Sequence, residues 1–289
     1  MLRRFSLIAF PDASQHCRVE TGPERLEAEA ASADRLRRAS SFGAAAAQYA
    51  RHRPGYAEVA IRWCLAPVSD AQPVRVVDLG AGTGILAGAL ARLGADVVAV
   101  EPDQAMRAEL RRQLPGVRAV EGSAEILPLP DQSVDAVLCG QAMHWFDLNR
   151  ALPEIARVLT PGGVLAGLWN VDDDRVGWVA GLAAISKSGA TLSLWRAPAE
   201  ADTEQGALRA GSSWFAPVEE REFGNGQLRS AGSLVAAVAT HSRMLVTDEA
   251  ERARTLATIR DFLHRQPETS AGEFTLPLVT VALRAARRP

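Results

Sequence analysis

From about residue 40 onward, apolar positions recur in two alternating rhythms. VRVVDL (74–79) and DVVAVE (96–101) are short, nearly continuous apolar and β-branched runs, the pattern of strands buried on both faces. Between and after them lie stretches with helical spacing: ILAGALARLG, closed by Gly94, and DQAMRAELRRQL, stopped before Pro115. Two more helical stretches precede the first strand: AAAAQYARHR, ending at Pro54, and YAEVAIRWCLA, ending near Pro67. VRAVEG, SVDAVLCG and GVLAGLWN read as further strands, with RALPEIARVL a helix ended by Pro161-Gly162-Gly163. Strands alternating with helices of roughly ten residues predict an α/β fold with a parallel, doubly wound sheet.

The last third is less regular. A helical stretch near 175–187 leads into a poorly patterned region reaching about residue 215. PVEEREF then reads as a strand, SAGSLVAAVATHS and DEAERARTLATIRDFLHRQ as helices, and EFTLPLVTVALRAA as a final strand. Residues 1–38 are polar and weakly helical, and are expected to form an extension ahead of one domain spanning 39–289. The apolar run of MLRRFSLIAF before Pro11 is shorter than the roughly 7–15 residues of a secretory core, so export is not expected. No stretch reaches the roughly 18 apolar residues of a membrane-spanning helix.

Composition narrows the function classes. With 47% hydrophobic and 23% charged residues, a disordered or collagen-like chain is excluded. Thirty-two basic against 34 acidic residues, a net charge of -2, argue against a nucleic-acid or anionic-membrane partner. Lys187 is the only lysine and lies in ISKSG, which removes the P-loop and leaves a pyridoxal enzyme a single candidate lysine with no cofactor cradle around it. Cys17, Cys64 and Cys139 are widely spaced and form no C-x-x-C, which fits a reduced, cytoplasmic setting and no metal site. His52, His241 and His264 likewise lack ligand spacing.

Candidate chemistry centres on VVDLGAGTG, where a strand ends in a glycine turn that opens a helix. Backbone N–H groups and the positive helix end then face the carboxyl edge of the sheet, where doubly wound folds bind ligands. Glu101 ends the second strand, where a carboxylate can accept hydrogen bonds from both hydroxyls of a ribose. That placement serves NAD and S-adenosylmethionine equally, so the glycine spacing discriminates. A dinucleotide fingerprint beginning at Gly80 needs glycine where Ile85 stands, and Asp78 before the turn suits an ammonium group better than a pyrophosphate.

VVDLGAGTG, VEPDQAM, GSAEILPLPDQSVDAV and GQAMHWFD, in that order, resemble the successive motifs of class I S-adenosylmethionine-dependent methyltransferases. More narrowly they resemble the small-molecule type 11 group that includes trans-aconitate methyltransferase-like proteins, over roughly residues 40–285. The resemblance implies a Rossmann-like sheet of seven strands, mostly parallel with an antiparallel last strand. It also implies a helical insertion and acceptor region at about 170–270, with Trp178, Trp195 and Trp214 among the candidate pocket residues. The implied cofactor is S-adenosyl-L-methionine, leaving as S-adenosyl-L-homocysteine. Asp78 and the backbone of Gly80, Ala81 and Gly82 would hold its methionine part, Glu101 the ribose, and Pro102 and Met106 the adenosine. Ser123, Ala124 and Glu125 would lie along the adenine edge. Ser123 stands where many members carry Asp, so Glu125 or a backbone carbonyl is the alternative partner for the adenine amino group. Gln141 would sit near the sulfonium and the acceptor.

Methyl transfer needs alignment in a dry site, and a base only when the acceptor loses a proton. His144 is the base candidate, with the alternative that it orients its loop. Tyr49 is the second catalytic candidate, on a leading segment that in relatives folds over the cofactor. Arg53 could pair with a carboxylate of cofactor or acceptor, or be merely solvated. Trp145 is a candidate acceptor contact or a packing residue, and Asp147 is expected as a helix N-cap. CGQAMHW after the fourth strand is not the [DN]-P-P-[YFW] loop of base methylation, so a small-molecule acceptor, a carboxylate or hydroxyl, is expected. The expected state is a monomer or homodimer. A non-catalytic binding protein and a nicotinamide-dependent oxidoreductase are the alternatives.

Overall fold

A computed structural model describes residues 46–186 and 212–289. The expected extension at 1–38, Lys187 and Trp195 lie outside the described residues. Seven strands form one sheet in the order β3-β2-β1-β4-β5-β7-β6. They are β1 (Arg75–Leu79), β2 (Asp96–Val100), β3 (Arg118–Val120), β4 (Val134–Gly140), β5 (Leu159–Asp172), β6 (Glu219–Ser230) and β7 (Glu273–Ala286). The first five pair in parallel, and β7 runs antiparallel between β5 and β6.

Alternation along the central strands sends successive side chains to opposite faces, and each face has its own core. Val77, Leu79, Val137 and Cys139 pack with Leu152 and Ile155 of helix α5 (Leu148–Val158). Val76, Ala136 and Leu138 face the other way, onto Ile61 of α2 (Glu58–Leu65) and Leu86 and Leu90 of α3 (Ile85–Arg92). Leu110 of α4 (Gln104–Gln113) closes that layer beside β3. Burial on both faces is why these strands read as unbroken apolar runs.

A third cluster joins α6 (Gly177–Ser186), α7 (Ala231–Ala239) and α9 (Glu249–Arg265) to the first half of β7, through Trp178, Leu182, Leu234, Ile259 and Phe274. Trp178 meets Phe274 edge to face at 5.6 Å, so it is a core residue rather than a pocket wall. Trp214 lies by the far end of β7, where its carbonyl accepts from Arg288 N–H, at the sheet edge opposite the glycine turn. Of the two readings open for each tryptophan, core or acceptor pocket, Trp178 thus takes the core one, and Trp214 lies away from the glycine turn.

Three local expectations change. The strand expected at 217–223 continues through GNGQLR to Ser230, because β7 pairs with it residue by residue up to Ser230↔Glu273. The helix expected at 230–242 breaks at Thr240-His241 into α7 and a short α8 (Ser242–Val246). Pro161-Gly162-Gly163 lies inside the start of β5, at an irregularity in its pairing with β4, rather than in a separate turn. Helix α1 (Ala46–His52) packs against both α4 and α7.

Candidate functional site

The carboxyl ends of β1, β2, β4 and β5 form the floor of the site. After Leu79 the chain turns sharply, and the N–H groups of Gly80 and Ala81 both donate to the Val100 carbonyl, at 2.9 and 3.1 Å. Gly80 and Gly82 have φ of +69° and +56°, a region costly for residues with a Cβ. A Cβ on Gly80 would stand 2.6 Å from that of Ala142, so glycine there lets the turn press onto the loop after β4. A Cβ on Gly82 would meet nothing within 4 Å. One glycine is needed for close packing, and the other faces open space.

Glu101 is buried beside that space, one carboxylate oxygen accepting from Gly82 N–H at 2.8 Å and the other from Asp103 N–H at 2.9 Å. Burial raises its pKa, opposed by the two N–H bonds. Each oxygen retains a lone pair for a further donor. Asp103 in turn caps α4 by accepting from Met106 N–H at 2.8 Å.

Asp78 is 1% exposed. Gly84 at the N-cap of α3 has no side chain to cap it, and Asp78 Oδ2 does so from the strand, accepting from Ala87 N–H at 2.8 Å. Its Oδ1 is buried without a hydrogen-bond partner among the described residues. Burial, with the nearby Glu101 charge adding to it and the Ala87 N–H opposing, pushes this carboxyl up to about 7. A buried carboxylate oxygen lacking a partner is costly unless a cationic donor arrives.

Arg107, missed in the sequence, braces the rim of this turn. Buried on α4, it donates to the carbonyls of Glu101 and Pro102 at 2.7 and 2.6 Å and pairs with Glu121 at 2.6 Å. Met106 and Ala124 are both buried, Ala124 within the core on the α5 face of the sheet. Ser123 pairs in a short bridge with Ile126, and Glu125 accepts from the Asp147 N–H at 3.0 Å. Asp147 occupies the N-cap position of α5, as expected, but its side chain makes no cap bond. The Asp147–Glu125 contact ties the loop after β4 to the loop before it.

Gln141, just past β4, has φ of +56°, an uncommon conformation costing about 1–3 kcal/mol for a residue with a side chain. Its side-chain amide donates to the Asn170 carbonyl at 2.9 Å. His144 and Trp145 follow on a short 3-10 turn, their rings 4.5 Å apart and tilted by 47°.

The segment after α1 is fastened over this floor. Asn170 of β5 donates to the Gly55 carbonyl at 3.0 Å, as does Asn225 of β6 at 2.9 Å. Thr280 of β7, fully buried, donates to Asn170 Oδ1 at 2.7 Å and accepts from Ala57 N–H at 3.1 Å. Three strands thus clasp residues 55–57, and Tyr56 reaches the end of β4, where a Cβ on Gly140 would lie 2.5 Å from its hydroxyl. Arg53 stacks over the Tyr49 ring at 4.9 Å and reaches the Thr240 carbonyl at 3.5 Å. Its Nε is buried with no partner among the described residues. Burial and the charge of Arg53 push the neighbouring His241 down to about 3, leaving its ring neutral. No single residue of the clasp announces itself in sequence; Asn, Asn and Thr at strand positions are the only trace.

Among the described residues no group of His, Cys, Asp and Glu is arranged to hold a metal ion, and no helix is long and apolar enough to cross a membrane. The methyltransferase domain family matches residues 77–167, the span from the glycine turn to the middle of β5. An uncharacterized methyltransferase of Mycobacterium tuberculosis is 39% identical over 246 residues, covering 85% of this chain and 95% of the relative. A malonyl-[acyl-carrier protein] O-methyltransferase of Methylococcus capsulatus is 40% identical over 118 residues, 37% of this chain and 43% of that one. Among solved structures, one described as a type II methyltransferase from Anaeromyxobacter dehalogenans superposes with a TM-score of 0.51 at 25% identity, covering 81% of this chain and 97% of that chain. Domain match, near full-length relative and sheet order agree: the chain belongs to the class I S-adenosylmethionine-dependent methyltransferases, in the type 11 group.

Proposed function

We propose that this enzyme moves a methyl group from S-adenosyl-L-methionine to a carboxylate or hydroxyl of a small molecule, releasing S-adenosyl-L-homocysteine. The reading is carried by Asp78: a buried carboxylate with one oxygen committed to a helix end and the other without a partner, beside a glycine whose missing Cβ leaves space. An ammonium is the donor that satisfies it, and the amino-acid end of the cofactor carries one. Glu101, already oriented by two N–H groups, offers its remaining lone pairs to the ribose hydroxyls. Pro102 and Met106 border the adenosine, and Ser123, Ala124 and Glu125 border the base.

When bound, the cofactor supplies a sulfonium-activated methyl carbon, open to in-line displacement. The chain's own task is alignment and exclusion of water, for which effective molarities of about 10⁵ M or more are available. Gln141, held in its left-handed conformation by β5, fixes the wall between donor and acceptor. The clasp on residues 55–57 holds the leading segment, with Tyr49 and Arg53, over the floor. A carboxylate acceptor needs no base; for a hydroxyl, His144 takes the proton, its ring packed on Trp145. Arg53 offers its fork to a carboxylate of cofactor or acceptor.

Titration calorimetry tests the donor. S-adenosylmethionine and S-adenosylhomocysteine should bind the wild type with micromolar affinity, bind the Glu101→Ala variant much more weakly, and NAD should not bind. Absence of binding by both sulfur ligands sinks the reading, and tight NAD binding replaces it with an oxidoreductase.

A further inference from the structure

Several arginines of this fold are held by carboxylates. Arg75, Arg107, Arg157 and Arg284 each have a carboxylate partner: Asp135, Glu121, Glu154 and Glu219 respectively. Arg53 and Arg229 have none among the described residues, although Arg229 is only 6% exposed. Arg229 holds the His52 carbonyl at the end of α1 and the Gln227 side chain, both through Nη2. Its Nε is buried without a partner among the described residues. Of the five N–H donors of a guanidinium, the one on Nε is thus buried and unused here. A buried cation in that condition is costly unless an anion completes it.

Both arginines stand on the ligand side of the sheet. β6 runs parallel to β5, so Arg229 near its end lies toward the carboxyl edge, as Gln141 does. Across the ladders Gly140 is level with Leu168, Ala282 and Arg221, and Arg229 is eight residues further along β6. At about 3.3 Å per residue that is about 26 Å of strand, but the Arg229 guanidinium bonds the His52 carbonyl, on the peptide that leads into Arg53. Arg53 is three residues before Tyr56, whose hydroxyl is packed on Gly140, so both arginines meet the same leading segment.

Resting on the reading of S-adenosylmethionine as donor, the arithmetic of charge follows. That cofactor brings one carboxylate, and the site holds two arginines without one. We propose that Arg53 takes the cofactor carboxylate and that Arg229 binds an oxyanion, a carboxylate or a phosphate, on the methyl acceptor. The acceptor is therefore a small molecule that carries an anionic group.

The test uses the full chain saturated with S-adenosylhomocysteine and three probes of equal length: hexanoate, hexyl phosphate and neutral hexanamide, titrated at fixed ionic strength. At least one of the two anions should bind tenfold or more tightly than hexanamide, and their order tells carboxylate from phosphate. Arg229→Gln should remove that preference, Arg229→Lys should restore part of it, and Arg62→Gln on the exposed face of α2 should leave it intact. Equal binding of anions and amide, no binding of any probe, or a preference that survives Arg229→Gln overturns the proposal. S-adenosylhomocysteine affinity is read in the same samples. If it persists in Arg229→Gln, the site has not collapsed; if the variant loses it, the wild-type comparison and Arg229→Lys still decide. If the wild type itself fails to bind S-adenosylhomocysteine, it is the donor reading that has failed.

Discussion

Asp78 is required to do two incompatible things. As a remote cap for α3 it works as a carboxylate accepting an N–H, yet its burial penalises that charge and raises its pKa to about 7. In the unfolded chain it titrates near an ordinary aspartate, about 3.9. A group whose folded pKa lies above its unfolded one stabilises the fold below the unfolded value, and that stabilisation is lost as pH rises from about 4 toward 7. Binding of an ammonium runs the other way, since it needs the ionised form. Cofactor affinity should therefore strengthen as pH rises from 6 to 8, and Asp78→Asn should bind more weakly and lose most of that slope. Calorimetric titrations at several pH values decide; an unchanged slope in the variant would remove Asp78 from the ammonium contact. Gly82→Ala is expected to weaken binding tenfold or more with little rearrangement elsewhere, since its φ is +56° and its Cβ would point into open space. A competition assay against S-adenosylhomocysteine measures it.

Single elements of this fold are ordinary; what makes the site is how three of them are tied. Asn170, Asn225 and Thr280 come from β5, β6 and β7, and together hold the turn between α1 and α2. Thr280→Val keeps the shape but leaves the Ala57 N–H without an acceptor in a buried place, a loss of about 1–3 kcal/mol. Urea unfolding should show the lowered midpoint, and the KM for the cofactor should rise more than kcat falls, because the floor itself is untouched. Arg107→Gln removes the brace on the Glu101 and Pro102 carbonyls and should weaken cofactor binding while leaving the clasp intact. If the variant binds as the wild type does, the brace is irrelevant to the ribose contact.

At the level of the full chain, the site lies where the two halves of the sheet diverge, β1 turning toward β2 and β3 on one side and β4 leading to β5 and β7 on the other. Ligand binding there joins both halves and the leading helix, so it stabilises the fold by linkage. S-adenosylhomocysteine at a hundredfold excess over its Kd should add about 2.7 kcal/mol to the unfolding free energy. The gain should vanish in Glu101→Ala, read as a shift in Tm with and without ligand. A shift of equal size in that variant would place the ligand elsewhere.

The glycine turn, Asp78 and Glu101 were legible along the chain because each depends on its neighbours. A buried parallel strand, a left-handed glycine and an acid at the next strand end all leave local patterns at short spacing. The ends of β7 were legible for the same reason, its apolar run being continuous. The second half of β6 was not, since GNGQLR is a polar, glycine-bearing edge strand whose extended form comes from pairing with β7. Nor was the clasp, whose members are 115 to 223 residues apart from the groups they hold. Arg229 and Thr280 carry no local signal, because their partners are decided by strand register, and register follows from the packing of the entire sheet rather than from any nearby stretch of chain. Local sequence thus specifies the floor of the candidate site, while tertiary pairing alone sets the leading segment over it and leaves Arg53 and Arg229 without a carboxylate partner among the described residues.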